Sequence, residues 1–110
     1  MSALLINAWA TVTICNSQTK KLSHFTRNSD IVITATWKPK LLTLDMINSE
    51  TIIIDVWFSI VNSKIIGDAD FDNINIAWIK ITPVPGWVWP LTVAMLMKNI
   101  LKASIWIWKI

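Results

Sequence analysis

The chain has 110 residues and a formal net charge of +3, with 54% hydrophobic residues, one cysteine and one histidine. That length allows one compact domain with one core and excludes a two-domain enzyme carrying its own substrate half. A lone Cys15 excludes an internal disulfide and a cysteine-based zinc site, and the mild, scattered positive charge gives little support to nucleic-acid binding.

The longest uncharged apolar stretches, 31–37 and 88–97, fall short of the about 18 to 20 residues that a membrane span needs. No transmembrane helix is expected, and strands buried on both faces of a parallel sheet account for the apolar runs. The opening MSALLINAWA imitates a secretory signal but lacks a basic n-region, so a reducing, cytoplasmic setting is expected.

In chain order, 2–8 reads as the end of a helix and Ala10–Cys15 (ATVTIC) as a strand, because it alternates and is β-branched. A short helix over 22–28 leads to a strand over 30–35, closed by the turn at Lys38-Pro39. Thr43 is placed to cap a brief helix through Asn48, and 51–56 (TIIIDV) is the clearest buried strand. After a loop over 59–63 come a short strand over 64–68, a turn or helix over 70–75, and a strand ending at Ile81-Thr82. PVPGWVWP punctuates the chain before its longest helix, with Pro90 suited to the first helical position and Val93, Ala94, Met97, Ile100 and Leu101 on one face. Strands alternating with helices of this length predict βαβ units and a parallel sheet.

Asp68, Asp70 and Asp72 have the first spacings of a calcium loop, but Asn73 and Ile79 stand where its glycine and bidentate glutamate are required. They are expected to be turn-forming and helix-capping carboxylates. His24 reads as a surface residue and Cys15 as a small core residue. The composition has one anomaly: Gly is 2 and Trp is 8 of 110, where glycine is ordinarily about 7% of residues. The tryptophans at 9, 37, 57, 78, 87, 89, 106 and 108 follow no helical stripe and sit where turns follow strands, which are glycine positions by backbone logic.

Five segments in order, ATVTICNSQT, DIVITATWKP, IIIDVWFS, KIIGDADFD and ITPVPGWVWPLTVAMLMKNILKA, resemble the cofactor domain of the methylenetetrahydrofolate dehydrogenase/methenyltetrahydrofolate cyclohydrolase family. The last is the most specific, since the family signature there reads ITPVPGGVGPMTVAML against Trp87 and Trp89 in this chain. Trp37 replaces the glycine of the family's GKP, Trp57 that of DVGIN, Trp9 the glycine before ATVT, and Trp78 another. Five such replacements at packed turns would each cost about 1 to 3 kcal/mol, together the whole stability of an ordinary domain. The expectation is that the source reads UGA as glycine. Asn16, Phe58 and Ser59 also depart from the family's His, Ile and Asn.

The resemblance implies an α/β, Rossmann-like parallel sheet with flanking helices, incomplete because Met1 aligns just after the family's GRSxxVGxP loop. On that alignment the first βα unit and the catalytic domain with its YxxxK lysine lie upstream, as in a gene model begun internally. Residues 1–104 are then the C-terminal portion of the cofactor domain and 105–110 a tail. The implied activity is oxidation of 5,10-methylenetetrahydrofolate with NADP, followed by hydrolysis to 10-formyltetrahydrofolate, by a cytoplasmic homodimer without nucleic-acid or membrane partners. Implied cofactor contacts are Ser17, Ala35, Trp37 (as glycine), Val56, Phe58 and Thr92, with Trp87, Val88, Trp89 and Pro90 facing the folate; no catalytic residue and no metal ligand is expected within the chain. NADP is favoured over NAD because the turn after ATVTIC carries Asn16, Ser17, Thr19 and Lys20, with no carboxylate to repel a 2′-phosphate. Two other readings are an inactive remnant of the family and a small basic, Trp-rich membrane-surface protein, which would need an amphipathic stripe.

Overall fold

The computed structural model describes residues 1–86 and 88–107. Its elements are α1 (Ser2–Asn7), α2 (Leu22–Arg27), β1 (Ile31–Thr34), a 3₁₀ turn (Leu44–Met46), β2 (Ile52–Asp55), β3 (Phe58–Val61), β4 (Lys64–Gly67), α3 (Phe71–Ile76) and α4 (Val88–Ile107). β1 and β2 are parallel, in a register that sets Ile31 opposite Ile52 and Thr34 opposite Asp55. On the other side of β2, Ile53 bridges to Ile81 in parallel, the backbone N–H of Ile53 donating to the Lys80 carbonyl at 2.8 Å. The sheet is thus parallel and flanked by helices, as the alternation of elements requires.

The core forms under one face of this sheet, from Val32, Leu42, Ile47, Ile53, Ala69, Ile74 and Ile79. Ile53 lies at its centre, fully buried between β1 and the strand position of Ile81. α2 is tied to the 3₁₀ turn by the Thr26 hydroxyl, which donates to the Met46 carbonyl, and by Arg27 Nε, which donates to the Asp45 carbonyl at 2.7 Å. Gly67 closes β4 against Asp55 so tightly that a Cβ there would collide with the Asp55 carboxylate, which explains a glycine at that point.

Several expectations are corrected. Ala10–Cys15 joins no ladder among the described residues; an alternating segment becomes a strand only when a partner supplies hydrogen bonds, and this one instead lines a groove of about 160 Å³ with Phe25, Ile31 and Ile33. That groove also exposes the opposite face of β1, so Ile31 and Ile33 alternate with buried Val32 and Thr34 where burial on both faces was expected. The supposed loop over 59–63 is half strand: β3 and β4 form an antiparallel hairpin whose two-residue turn, Asn62-Ser63, takes φ of 49° and 60°, as the tight hairpin geometry demands. The helix expected from Thr43 to Asn48 is only the 3₁₀ turn, with the Thr43 hydroxyl spent on Asp45 Oδ1 at 2.6 Å and no cap bond to the backbone. Pro90 stands in the first turn of α4, after Val88 and Trp89, where its missing N–H still costs nothing. α4 itself runs through Ile107, and 108–110 lie outside the described residues.

The expected face of α4 is not buried within the described residues. Val93, Met97, Ile100 and Leu101 are exposed, and so are Leu91, Met95 and Leu96 on other sides of the helix. A helix apolar on all sides is the kind that other protein covers. No helix among the described residues is long and apolar enough to cross a membrane.

The one-sided core makes a direct prediction. Ile53→Ala should lower stability by about 2 to 5 kcal/mol, the range for truncation at a filled core position. Ile33→Ala, on the open face, should cost less than about 1 kcal/mol. Urea unfolding of both variants checks the contrast, and equal losses would mean that the second face is covered after all.

Candidate functional site

The ends of the parallel strands are where an open α/β sheet presents loops to a ligand. Here β1 runs out into Ala35-Thr36-Trp37, β2 into Val56-Trp57-Phe58, and the strand position at Ile81 into 82–86, from which α4 departs. Ala35, Trp37, Val56 and Phe58 therefore arrive at one edge of the sheet. The ring centroids of Trp37 and Trp57 lie 4.1 Å apart, those of Trp57 and Trp89 5.4 Å, and those of Trp57 and Phe58 6.1 Å. Two strand-end segments and the first turn of α4, distant in sequence, thus meet through indole contacts.

The other candidates are placed less centrally. Ser17 is exposed on a separate turn, 16–19, held by the Asn16 N–H donating to Thr19 Oγ1 at 2.8 Å and the Gln18 N–H donating to Asn16 Oδ1 at 2.9 Å. No carboxylate stands in that turn. Thr92 lies in the first turns of α4, its hydroxyl donating back to the Val88 carbonyl at 2.8 Å. Val88, Trp89 and Pro90 open the same helix, while Trp87 lies outside the described residues. His24 is exposed on α2, and Cys15 lines the groove beside β1. Among the described residues no cluster of histidine, cysteine and carboxylate side chains could hold a metal ion.

Beneath the strand ends lies a polar layer that sequence reasoning missed. The Asp55 carboxylate is buried; it accepts the Thr34 hydroxyl at 3.1 Å and the Ala69 N–H at 2.9 Å, and the Asp55 N–H donates to Thr82 Oγ1 at 2.9 Å. One side chain and its backbone therefore join β1, β2, the segment after Ile81 and the end of the hairpin. Burial pushes the Asp55 carboxyl above the ordinary carboxylate value; the Ala69 N–H and the Thr34 hydroxyl oppose that shift, and the neighbouring Asp68 charge adds to it.

Asp68, fully buried, accepts the N–H groups of both Thr36 and Trp37 on Oδ2, and so fixes the turn that carries two candidate contacts. Asp70 occupies the N-cap position of α3 without capping it: its carboxylate takes the Asn73 amide and, at 2.9 Å, the Lys40 ammonium. The Lys40 contact holds the Asp70 carboxyl below its ordinary range. The only sequence signal for this layer was an unexplained pair of acids, Asp55 and Asp68, in otherwise apolar strands.

A family model described as the NAD(P)-binding domain of tetrahydrofolate dehydrogenase/cyclohydrolase matches residues 1–106. The chain is 47% identical over 104 residues to a bifunctional protein FolD of Nitratiruptor sp., an alignment that takes in 94% of this chain and 37% of that protein. It superposes with a TM-score of 0.90 and 38% identity on the bifunctional 5,10-methylenetetrahydrofolate dehydrogenase/cyclohydrolase of Thermoplasma acidophilum, covering 96% of this chain and 38% of that one. With the Trypanosoma brucei methylenetetrahydrofolate dehydrogenase-cyclohydrolase, solved in complex with NADP cofactor and an inhibitor, the TM-score is 0.76 at 37% identity, over 94% of this chain and 39% of that one. The chain thus spans somewhat over a third of the length of the relatives it matches.

The buried acids should shape the pH dependence of stability. The folded pKa of Asp55 exceeds its unfolded value of about 3.8, so its contribution is present below that value and is lost as pH rises through the folded pKa. Asp70 is the reverse: its contribution is present above about 3.8 and is lost as pH falls through its depressed folded pKa. Denaturant midpoints measured across pH should show Asp55→Asn abolishing the decline on the alkaline side of 3.8 while leaving the acid-side loss in place. A decline unchanged in that variant would assign it to another group.

Proposed function

The chain belongs to the tetrahydrofolate dehydrogenase/cyclohydrolase family, through its NAD(P)-binding domain, and from that we propose that it is the cofactor-binding part of an enzyme that oxidises 5,10-methylenetetrahydrofolate to the methenyl form with NADP and hydrolyses the product to 10-formyltetrahydrofolate. The observation that carries this reading is the convergence of 35–37, 56–58 and 82–86 at the ends of parallel strands, in a chain matched by the family model from residue 1 to 106. Ala35, Trp37, Val56 and Phe58 supply the floor beneath the cofactor, and Ser17 and Thr92 contact it from either side. Trp87, Val88, Trp89 and Pro90 face the folate. The acid-free turn at 16–19, followed by Lys20 and Lys21, favours a 2′-phosphate and therefore NADP. The chain contains no tyrosine, hence no YxxxK lysine, so the proton-transfer chemistry falls to a preceding catalytic region. Action in the cytoplasm as a homodimer, without nucleic-acid or membrane partners, completes the proposal.

The side chains as they stand do not fit a dinucleotide at this edge. The indoles of Trp37, Trp57 and Trp89 lie against one another across the strand ends, where a backbone must approach the ligand closely. If those indoles are genuine, the same contacts favour the second reading, an inactive remnant of the family.

Calorimetric titration with NADP of three polypeptides separates the possibilities. The first is the chain with glycine at 9, 37, 57, 87 and 89; the second is the chain extended by the sequence that precedes it at its locus; the third carries both changes. Micromolar binding is expected from the third alone, because the preceding loop brings backbone N–H groups to the pyrophosphate and the preceding strand pairs β1. Binding by the glycine-bearing chain alone would show that the preceding region is dispensable, and binding by none would sink the cofactor reading.

A further inference from the structure

The misfit between the strand-end edge and a dinucleotide is confined to one residue type, and the backbone explains it. Trp9, Trp37 and Trp78 hold φ of 64°, 61° and 60°. A bulky L-residue is strained in that region and glycine is not. The chain's own glycines, Gly67 and Gly86, do not use it. Four other residues do: Asn62 and Ser63 form the hairpin turn, and Lys21 and Lys40 stand at single turn positions. The fold's demand for glycine and the glycines in the sequence therefore do not coincide, and tryptophan occupies three of the places where the demand falls.

The side chains argue the same way independently. An indole contributes to a fold by burying its large surface. The Trp9 indole is 97% exposed and that of Trp78 93%, so neither gains what would offset a left-handed backbone. Trp57 presents the opposite fault: its Nε1 is buried without a hydrogen-bond acceptor, a loss that a well-placed tryptophan avoids. Trp37 is also left-handed and exposed, its ring tilted against that of Trp57.

We infer that the polypeptide made in its source carries glycine at 9, 37, 57, 78 and 89, so that the strand-end edge is open and three turns are unstrained. One cause accounts for all five positions: UGA codons decoded as glycine, which a translation table assigning UGA to tryptophan turns into indoles. Only the use of the opened edge for a dinucleotide rests on the functional reading above; the residue assignment does not.

Two measurements decide it without NADP. Mass spectrometry of the protein isolated from its source should find glycine at 37 in the tryptic peptide spanning 28–40, and UGA at all five codons; tryptophan in that peptide, or UGG at most of the codons, overturns the inference. In recombinant protein, Trp9→Gly and Trp78→Gly should each raise the midpoint of thermal unfolding above both the parent and the corresponding alanine variant, because alanine keeps the left-handed strain that glycine removes. Midpoints that fall in the glycine variants, or match those of alanine, would remove the backbone argument. Should glycine be found and NADP still fail to bind the fully restored protein, the cofactor reading falls and the glycine assignment stands.

Discussion

Thr34 and Asp55 face each other at the last rung of the β1–β2 ladder, and the carboxylate buried there is shared by more of the chain than any other group described. Through that carboxylate and the Asp55 backbone N–H, the ends of two parallel strands, the backbone after β4 and Thr82 are fastened at one point. A carboxylate in that position is costly to bury, and its two hydrogen-bond donors, the Thr34 hydroxyl and the Ala69 N–H, are what make the cost tolerable. The hairpin follows from this anchor: Gly67 must pass so close to Asp55 that no side chain fits between them. Asp68, the residue that follows β4, then reaches the turn at 36–37 and sets its shape.

The periodic parts of this arrangement were legible in the sequence. The apolar, β-branched runs around 31–34 and 52–55 and the short amphipathic pieces at 22–27 and 71–76 carry their own local signals, and the structure has them within a residue or two. β3 was hidden because its turn is Asn62-Ser63, without the glycine that ordinarily marks a tight hairpin. Ala10–Cys15 reads as a strand and joins no ladder, since pairing is a property of the neighbour and not of the segment. The candidate residues at 35, 37, 56 and 58 were named through the family resemblance, and the strands carry them to one edge of the sheet. The layer beneath them was not legible, because Asp68 lies more than thirty residues from the amides it holds and nothing in a local pattern announces such a contact.

Tryptophan at turn positions shows how backbone geometry and composition inform each other. A low glycine count in a chain of this class is a statement about residue supply, while a left-handed φ at Trp9, Trp37 and Trp78 is a statement about demand. Left-handed backbone at Asn62 is ordinary, because a short polar side chain tolerates it. The same angle at an indole has no such account. The family relationship, the angles and the exposed rings point at overlapping positions for different physical reasons.

The apolar helix α4 has a consequence for biosynthesis. Chains emerge from the ribosome at about 5 to 20 residues per second and earlier segments fold or collapse first. α4 follows the sheet, the hairpin and α3, so its leucines, isoleucines and methionines stay within the exit tunnel while the core around Ile53 assembles. Were the same helix to precede the sheet, its uncovered surface would be offered to chaperones and proteases while the core was still being made. Because it follows the sheet, its apolar surface emerges only once the residues of the core are already outside the tunnel.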